Sequence, residues 1–212
     1  GLAISMNGVR PVLSAKREVA LCGARHPLIP AGQVVPIDFQ LGKDFRILII
    51  TGSNTGGKTA ALKTLGLLAL MHQAGLFIPA AEGSSLPVFR NIYAVIGDDQ
   101  SIQRSLSTFS SYMTQVIHIV GEMTERDLVL IDELGSGTDP AEGSALAQAI
   151  TEYLLRKNVL AAVTTHFSSL KQLAYETDGI ENAYVEFDME TLSPTYRLII
   201  GMPGNSNAFS IS

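Results

Sequence analysis

The sequence predicts an α/β fold, with a mostly parallel sheet flanked by helices and an added antiparallel hairpin. Short, continuously apolar runs alternate along the chain with longer segments, a pattern typical of parallel strands that helices cover on both faces. Near the end of the chain, two alternating segments joined by a short polar turn indicate a hairpin. Together these observations favour one α/β domain.

The composition supports a folded core and narrows the range of partners. Of the 212 residues, 46% are hydrophobic and 17% are charged, which argues against a disordered chain. The net charge of -5 argues against this chain being a broad nucleic-acid-binding surface by itself. The single cysteine, Cys22, cannot form a disulfide framework, so a reducing, cytoplasmic location is expected.

The ends of the chain lead us to expect a segment of a longer protein. The chain begins with Gly1 rather than Met, has no signal-peptide pattern, and stops after a glycine-rich loop and an apolar stub. Residues 64–81 are uncharged over the length of a membrane span. That stretch contains His72, Gln73 and Pro79 and follows a glycine loop, so it is interpreted as a buried helix, and no membrane association is expected.

The predicted elements run in this order. Strands are expected at 18–22, 34–41, 46–51, 91–96, 128–131 and 160–164, with hairpin strands at 183–188 and 195–200. Helices are expected at 58–74, 108–122, 141–157 and 168–174. We expect residues 1–44 to form a strand-and-loop region and residues 45–212 to form the core. Three of these strands, 46–51, 128–131 and 160–164, are continuously apolar and are expected to be buried. Ligands of parallel sheets lie at the carboxyl ends of strands, so the residues that follow these three strands should converge.

A glycine-rich loop follows the first buried strand and matches the pattern G-x-x-x-x-G-K-[ST]. Its residues are Gly52, Ser53, Asn54, Thr55, Gly56, Gly57, Lys58 and Thr59. The glycines allow backbone N–H groups to point at phosphate oxygens, and the next helix adds the positive end of its dipole. We expect Lys58 to bind the β- and γ-phosphates of ATP and the Thr59 hydroxyl to bind Mg²⁺.

Two carboxylates, Asp132 and Glu133, follow the second buried strand. We expect Asp132 to hold Mg²⁺, directly or through water, and Glu133 to act as the general base on the attacking water. His166 follows the third strand and is expected to sense the γ-phosphate, whereas the other three histidines lack this context and are interpreted as structural. The predicted catalytic residues are therefore Glu133, Lys58 and His166.

Three further segments are open to two interpretations. Residues 107–111 begin a helix, either as ordinary capping residues or as donors to a phosphate that a second subunit binds. Residues 135–140 form either a turn with a helix cap or a loop that meets its copy across a dimer. Gln100, in the polar loop 97–106, is a candidate nucleotide-binding residue, and the apolar stretch 34–37 is a candidate wall for the base.

Taken together, these motifs resemble the ATPase domain of the MutS family, of the ABC-like class of P-loop ATPases. The residues that carry the resemblance are 51–59, 107–109, 132–138 and 165–166. Within the family the sequence is most similar to the second bacterial subfamily, MutS-II. The stretches that favour this subfamily are 97–102, 107–113, 137–143, 185–188 and 194–198.

The resemblance implies properties that the residues alone do not. Family ATPase domains pair head to tail, which gives Ser107 the role of binding the nucleotide of the partner subunit and favours the paired-loop interpretation of Thr138 and Asp139. Full-length relatives clamp DNA through upstream domains, and ATP hydrolysis drives the clamp. The MutS-II subfamily lacks the mismatch-reading domain, often carries a C-terminal nuclease-like domain, and is associated with suppression of recombination and, in some members, with ribosome rescue.

Two residues depart from the family pattern. Ser53 stands where proline is usual, and Asn205 stands where arginine is expected. The chain also stops before the helical region that helps to lock family dimers, so we expect weak or no dimerisation of this segment. The alternatives are a nucleotide-dependent dimerisation switch with little hydrolysis and a transporter ATPase; the latter is disfavoured because Ser107 and its neighbours replace a Leu-Ser-Gly-Gly signature.

Overall fold

Two β-sheets and five helices form the structure, a computed structural model that describes residues 1–97, 105–188, 190–191 and 193–201. The strands are β1 (Val12–Leu13), β2 (Val19–Ala24), β3 (Ile37–Leu41), β4 (Ile47–Thr51), β5 (Ser85–Leu86), β6 (Ile92–Val95), β7 (Leu128–Ile131), β8 (Leu160–Thr164), β9 (Ile180–Asp188) and β10 (Ser193–Ile200). The helices are α1 (Leu2–Ser5), α2 (Lys58–Gln73), α3 (Ser105–Glu122), α4 (Pro140–Arg156) and α5 (Ser168–Glu176).

The larger sheet has six strands in the order β10, β9, β4, β8, β7, β6. Five of them run parallel, and β10 pairs antiparallel with β9 as a hairpin at one edge. The smaller sheet has the order β1, β5, β2, β3. The predicted fold class, a mostly parallel sheet with helices and an antiparallel hairpin, is confirmed.

The central strand β4 is buried on both faces, because its alternate side chains enter two different cores. Leu48 and Ile50 pack with α2 and with the smaller sheet. Ile47 and Ile49 pack on the other side with α3, α4 and α5. This three-layer arrangement explains why the strand reads as a continuous apolar run rather than as an alternating one. Among the described residues, none of the helices is both long and apolar enough to cross a membrane.

The buried parallel strands lie where the sequence predicted them, and the predicted bounds of β7 and β8 are reproduced. The observed ends of other elements differ from the predicted ends by a few residues. Helix α3 begins at Ser105, inside the segment predicted as a loop. Strand β3 begins only at Ile37, because the N–H groups of Gln33 and Val34 donate to the Pro30 carbonyl and hold a turn there.

The smaller sheet was not predicted as a separate unit. Its strands β1 and β5 are two residues long, too short to leave a periodic signal. Strand β5 also comes from the segment between α2 and β6, so the smaller sheet combines residues from both sides of position 44. The sheet covers α2 and closes the core on that side.

Candidate active site

Three buried parallel strands, β4, β8 and β7, lie side by side and end at the same edge of the larger sheet. The residues that follow them are Gly52 after β4, Asp132 after β7 and Thr165 after β8. The topology therefore brings the predicted phosphate loop, the acid pair and the segment before His166 to one edge. This is the edge at which parallel α/β sheets bind their ligands.

The predicted phosphate loop, residues 52–59, leads directly into α2, whose first residues are Lys58 and Thr59. Gly52 and Gly57 adopt φ angles of 137° and 96°, in the region that favours glycine. The Lys58 ammonium donates to the carbonyl oxygens of Gly52 and Ser53, both at 2.9 Å. The side chain thus lies across the loop, and the N-terminal end of α2 faces the same space, which fits a site for phosphate.

Lys58 is only 4% exposed. Burial lowers the pKa of its ammonium, and the nearby carboxylates of Glu133 and Asp132 oppose that shift. The positive charge therefore lies between the loop carbonyls and the acid pair.

The Thr59 hydroxyl donates to Asp132 Oδ2 at 2.6 Å, and the Thr164 hydroxyl donates to Asp132 Oδ1. Asp132 is buried at the tip of β7. A hydroxyl and a carboxylate oxygen so close together fit Mg²⁺, which prefers oxygen ligands and uses one or two from the protein together with substrate phosphates. The described residues contain no cluster of three or more His, Cys, Asp or Glu side chains placed to hold a metal.

Glu133 is exposed and adopts a left-handed backbone conformation, with φ of 51°. Its N–H donates to Thr164 Oγ1 at 2.8 Å. The carbonyl of the preceding residue, Asp132, accepts a hydrogen bond of 3.0 Å from the Tyr112 hydroxyl. Burial raises the pKa of that hydroxyl, and the negative charges of Asp132 and Glu133 raise it further, so it stays protonated as a donor.

His166 is exposed beyond the end of β8. Its Nδ1 atom lies 3.4 Å from the Ser136 hydroxyl, and its ring lies 4.3 Å from the ring of Phe167. The imidazole thus lies close to the loop that follows Glu133. The structure brings His166 to the same edge as the acid pair.

The loop at 135–140 packs against its own chain at both ends. Asp139 caps α4, since its carboxylate accepts from the N–H groups of Ala141 and Glu142. Gly135 and Gly143 approach so closely that a Cβ on Gly135 would lie 2.3 Å from the Gly143 carbonyl oxygen. The cap interpretation is therefore seen directly, and the interpretation as a loop paired across a dimer stays a prediction.

The candidate residues Ser107 and Gln100 fall partly or wholly outside the described part of the structure. Ser107 lies in the first turn of α3, and the structure defines only its backbone. Gln100, Asn205 and most of the polar loop at 97–106 lie outside the described residues. Their assigned roles stay predictions.

An apolar cavity of about 470 Å³ opens beside the phosphate loop. Its lining includes Val34, Val35 and Ile37, which belong to the stretch expected to form a wall for the base; that role stays a prediction. Gly57 and the α2 residues Ala60, Ala61 and Thr64 also line it. The size is within the range of small-ligand pockets.

Tyr196 also lines this cavity, and the sequence analysis missed it. The residue is 49% exposed and has a φ of 60°, at an irregularity in the pairing of β10 with β9 between Pro194 and Leu198. A Cβ on Gly57 would lie 2.9 Å from the Tyr196 ring. The sequence held one signal for its position: in the predicted hairpin, the first residues of β10 lie near the carboxyl end of β9.

Comparison with known proteins gives a consistent picture. Residues 48–211 match the model of the family described as MutS domain V. The chain is similar to proteins named Endonuclease MutS2 from Alkaliphilus oremlandii (56% identity over 211 residues) and Lachnospira eligens (57% over 211 residues). A relative of the same name from Caldanaerobacter subterraneus subsp. tengcongensis is 56% identical over 210 residues. These alignments cover 99–100% of the chain but only 27% of each relative, so the chain spans about a quarter of their length.

Proposed function

This chain belongs to the MutS domain V family, and on that premise we propose that it binds ATP with Mg²⁺ and hydrolyses it to ADP and phosphate. The observation that supports this activity best is the 2.6 Å contact between the Thr59 hydroxyl and the Asp132 carboxylate. It joins the end of the phosphate loop to the acid pair, so a single ion has access to both oxygens.

In the proposed reaction the phosphate loop binds the polyphosphate through its N–H groups, and Lys58 places its charge at the β- and γ-phosphates. Thr59 and Asp132 are the proposed Mg²⁺ ligands. When bound, Mg²⁺ neutralises negative charge that accumulates on the phosphates. These groups position the γ-phosphate and lower the barrier electrostatically.

Glu133 is the proposed general base. Its carboxylate is exposed next to the acid that the loop contacts, so water has access to it. It accepts a proton from the water that attacks the γ-phosphate. His166, held near Ser136, is proposed to hydrogen-bond that phosphate and so report its presence.

The base occupies the apolar cavity in this proposal, between the wall at 34–37 and the ring of Tyr196. Aromatic side chains stack on the faces of bases with favourable energy. Tyr196 also lies against Gly57 of the phosphate loop, so base and phosphate are held by adjoining surfaces. The proposed ligand is therefore a purine nucleotide, ATP.

For a longer protein that contains this chain, we propose a cytoplasmic, MutS2-like role in which ATP drives a dimeric clamp on DNA. The clamp acts in the control of recombination or in repair, and the ribosome is an alternative target. DNA contacts belong to segments outside this chain in that proposal, which agrees with its net charge of -5. Ser107 completes the nucleotide site of the partner subunit, and the loop with Thr138 and Asp139 meets its copy.

The activity is tested by measuring phosphate release from ATP with and without Mg²⁺ for Thr59→Val and Thr59→Ser. Serine keeps the hydroxyl, so this matched control should stay within about threefold of the parent chain. Valine removes the oxygen, and loss of several kcal/mol of metal stabilisation should lower the rate by at least about 100-fold. An unchanged, Mg²⁺-dependent rate in Thr59→Val would contradict the proposed site.

The composite site is tested separately, by measuring the rate per chain against chain concentration for the parent and for Ser107→Ala. A rate that rises with concentration and is lost in Ser107→Ala supports a site shared between two subunits. A low rate that is independent of both concentration and Ser107 contradicts the composite site, and favours the alternative of a nucleotide-binding switch.

A further inference from the structure

The peptide that links Asp132 to Glu133 is hydrogen-bonded at both ends. Its carbonyl oxygen accepts from the Tyr112 hydroxyl at 3.0 Å, and its N–H donates to Thr164 Oγ1 at 2.8 Å. We call these two hydrogen bonds the peptide brace. Because they act on opposite sides of one planar unit, they fix the rotation of that unit about the chain.

The brace stands next to a strained residue. Glu133 has a φ of 51°, and a residue with a Cβ enters this left-handed region only at a cost in free energy. Such conformations persist where the surroundings over-determine them. Rotation of the 132–133 peptide would release the strain and would also redirect the Glu133 carboxylate, so the brace governs where that carboxylate points.

One side of the brace belongs to α3. Tyr112 lies on this helix five residues after Ser107, and its ring packs in the core between the helix and the sheet. The same helix touches the loop beyond Glu133, since a Cβ on Gly137 would lie 3.5 Å from the Phe109 ring. A displacement of α3 is therefore transmitted to the Asp132 carbonyl by direct contact.

We propose that Tyr112 and Thr164 are positioning residues, which hold Glu133 in its left-handed conformation and make that conformation depend on the placement of α3. The inference rests on the proposed function, in which Glu133 is the base. It adds a physical route by which engagement of the first turn of α3 by a partner subunit adjusts the catalytic carboxylate.

The decisive variant is Tyr112→Phe, which keeps the packed ring and removes only the hydroxyl. We expect kcat for ATP to fall about five- to tenfold, the effect of one hydrogen bond, with KM within about twofold. Tyr93→Phe is the matched control, because Tyr93 packs against the same core from β6 and is not part of the brace. Tyr93→Phe should leave both constants unchanged.

A second readout does not depend on turnover. In the chain labelled with ¹³C at glutamate, the Cα and Cβ shifts of Glu133 report its backbone conformation. We expect Tyr112→Phe to move these shifts towards the values of a residue with negative φ, and Tyr93→Phe to leave them unchanged. Thr164→Val removes the other hydrogen bond of the brace and should change the Glu133 shifts in the same direction. Thr164→Ser keeps the hydroxyl and should leave these shifts at the parent values.

Epistasis separates this inference from the proposed function. In a Glu133→Gln background, Tyr112→Phe should lower the residual rate no further, because it acts through Glu133. If Glu133→Gln stops hydrolysis while Tyr112→Phe changes neither kcat nor the Glu133 shifts, the brace is overturned and the proposed base stands. If Glu133→Gln hydrolyses ATP at the parent rate, the proposed base fails, and the Glu133 shifts alone decide whether the brace holds the backbone.

Discussion

The two halves of the proposed nucleotide site are built in different ways. The phosphate half consists of one contiguous loop, residues 52–59, and the acid pair at the end of β7. The base half is assembled from three distant segments: residues 26–37, the start of α2, and the β9–β10 hairpin that carries Tyr196. Motifs in the sequence mark both segments of the first half, which the sheet topology then brings together, whereas no motif marks Tyr196 in the second half.

This difference has an energetic counterpart. The phosphate half holds the buried Lys58 ammonium, the Thr59 hydroxyl and the Asp132 carboxylate, so charge interactions are strong there. The base half offers apolar walls and one half-exposed ring. Inorganic tripolyphosphate probes the phosphate half alone, so comparing its binding with that of ATP assigns each substitution to one half.

The largest effect is expected from Lys58→Ala. This substitution removes the charge at the phosphates and also the hydrogen bonds to the Gly52 and Ser53 carbonyls. Binding of both ATP and tripolyphosphate should weaken by at least about 100-fold in calorimetric titration, to the limit of detection. The control is Lys43→Ala, an exposed lysine before β4. Unchanged ATP affinity in Lys58→Ala would remove the basis for the phosphate half.

Gly57→Ala should damage both halves at once. The residue has a φ of 96°, and the added Cβ would lie 2.9 Å from the Tyr196 ring. We expect about 10- to 100-fold weaker ATP binding, since backbone strain and displacement of the tyrosine act together. Gly75→Ala is the matched control: it also has a positive φ, 73°, but its Cβ would meet nothing within 4 Å. Gly75→Ala should lower the melting temperature and leave ATP affinity intact. Equal loss of ATP affinity in both variants would mean that backbone strain, rather than the contact with Tyr196, causes the loss.

Tyr196→Ala should have a smaller effect, confined to the base half. Loss of one stacked ring should weaken ATP binding about tenfold and leave tripolyphosphate binding unchanged. Tyr196→Phe keeps the ring and should stay within about twofold of the parent. A Tyr196→Ala variant that weakened ATP and tripolyphosphate equally would show that the ring supports the loop rather than the base.

The same comparison explains what the sequence predicts and what it does not. The strands β4, β7 and β8 are continuous apolar runs, and the motif residues that follow them sit at fixed offsets, so the phosphate half follows from a pattern. The MutS-II resemblance rested on these and neighbouring motifs and is confirmed by the MutS2 relatives. The catalytic, metal and nucleotide-binding roles of the individual residues stay predictions.

The residues that were missed act across the fold. Tyr112 reaches the Asp132 carbonyl from a helix, and Thr164 reaches the Glu133 N–H from the neighbouring strand. Neither contact leaves a trace in residue spacing, because both depend on how α3 and β8 pack beside β7. Tyr196 lies in the predicted hairpin strand 195–200, but its place in the cavity is not predicted, since an irregularity in strand pairing has no reliable signature in a single sequence.

The central claim, that Glu133 is the base of an ATP-hydrolysing site, is tested most directly by the identity of the nucleotide left on the protein. The parent chain and Glu133→Gln are incubated with substoichiometric ATP and Mg²⁺, and the bound nucleotide is extracted over time. The matched control is Glu82→Gln, an exposed carboxylate on the turn before β5. We predict that the parent and the control accumulate ADP, while Glu133→Gln retains ATP. Its rate of converting bound ATP to ADP should be at least about 100-fold below that of the parent. Conversion to ADP at the same rate in Glu133→Gln and the parent would contradict the account.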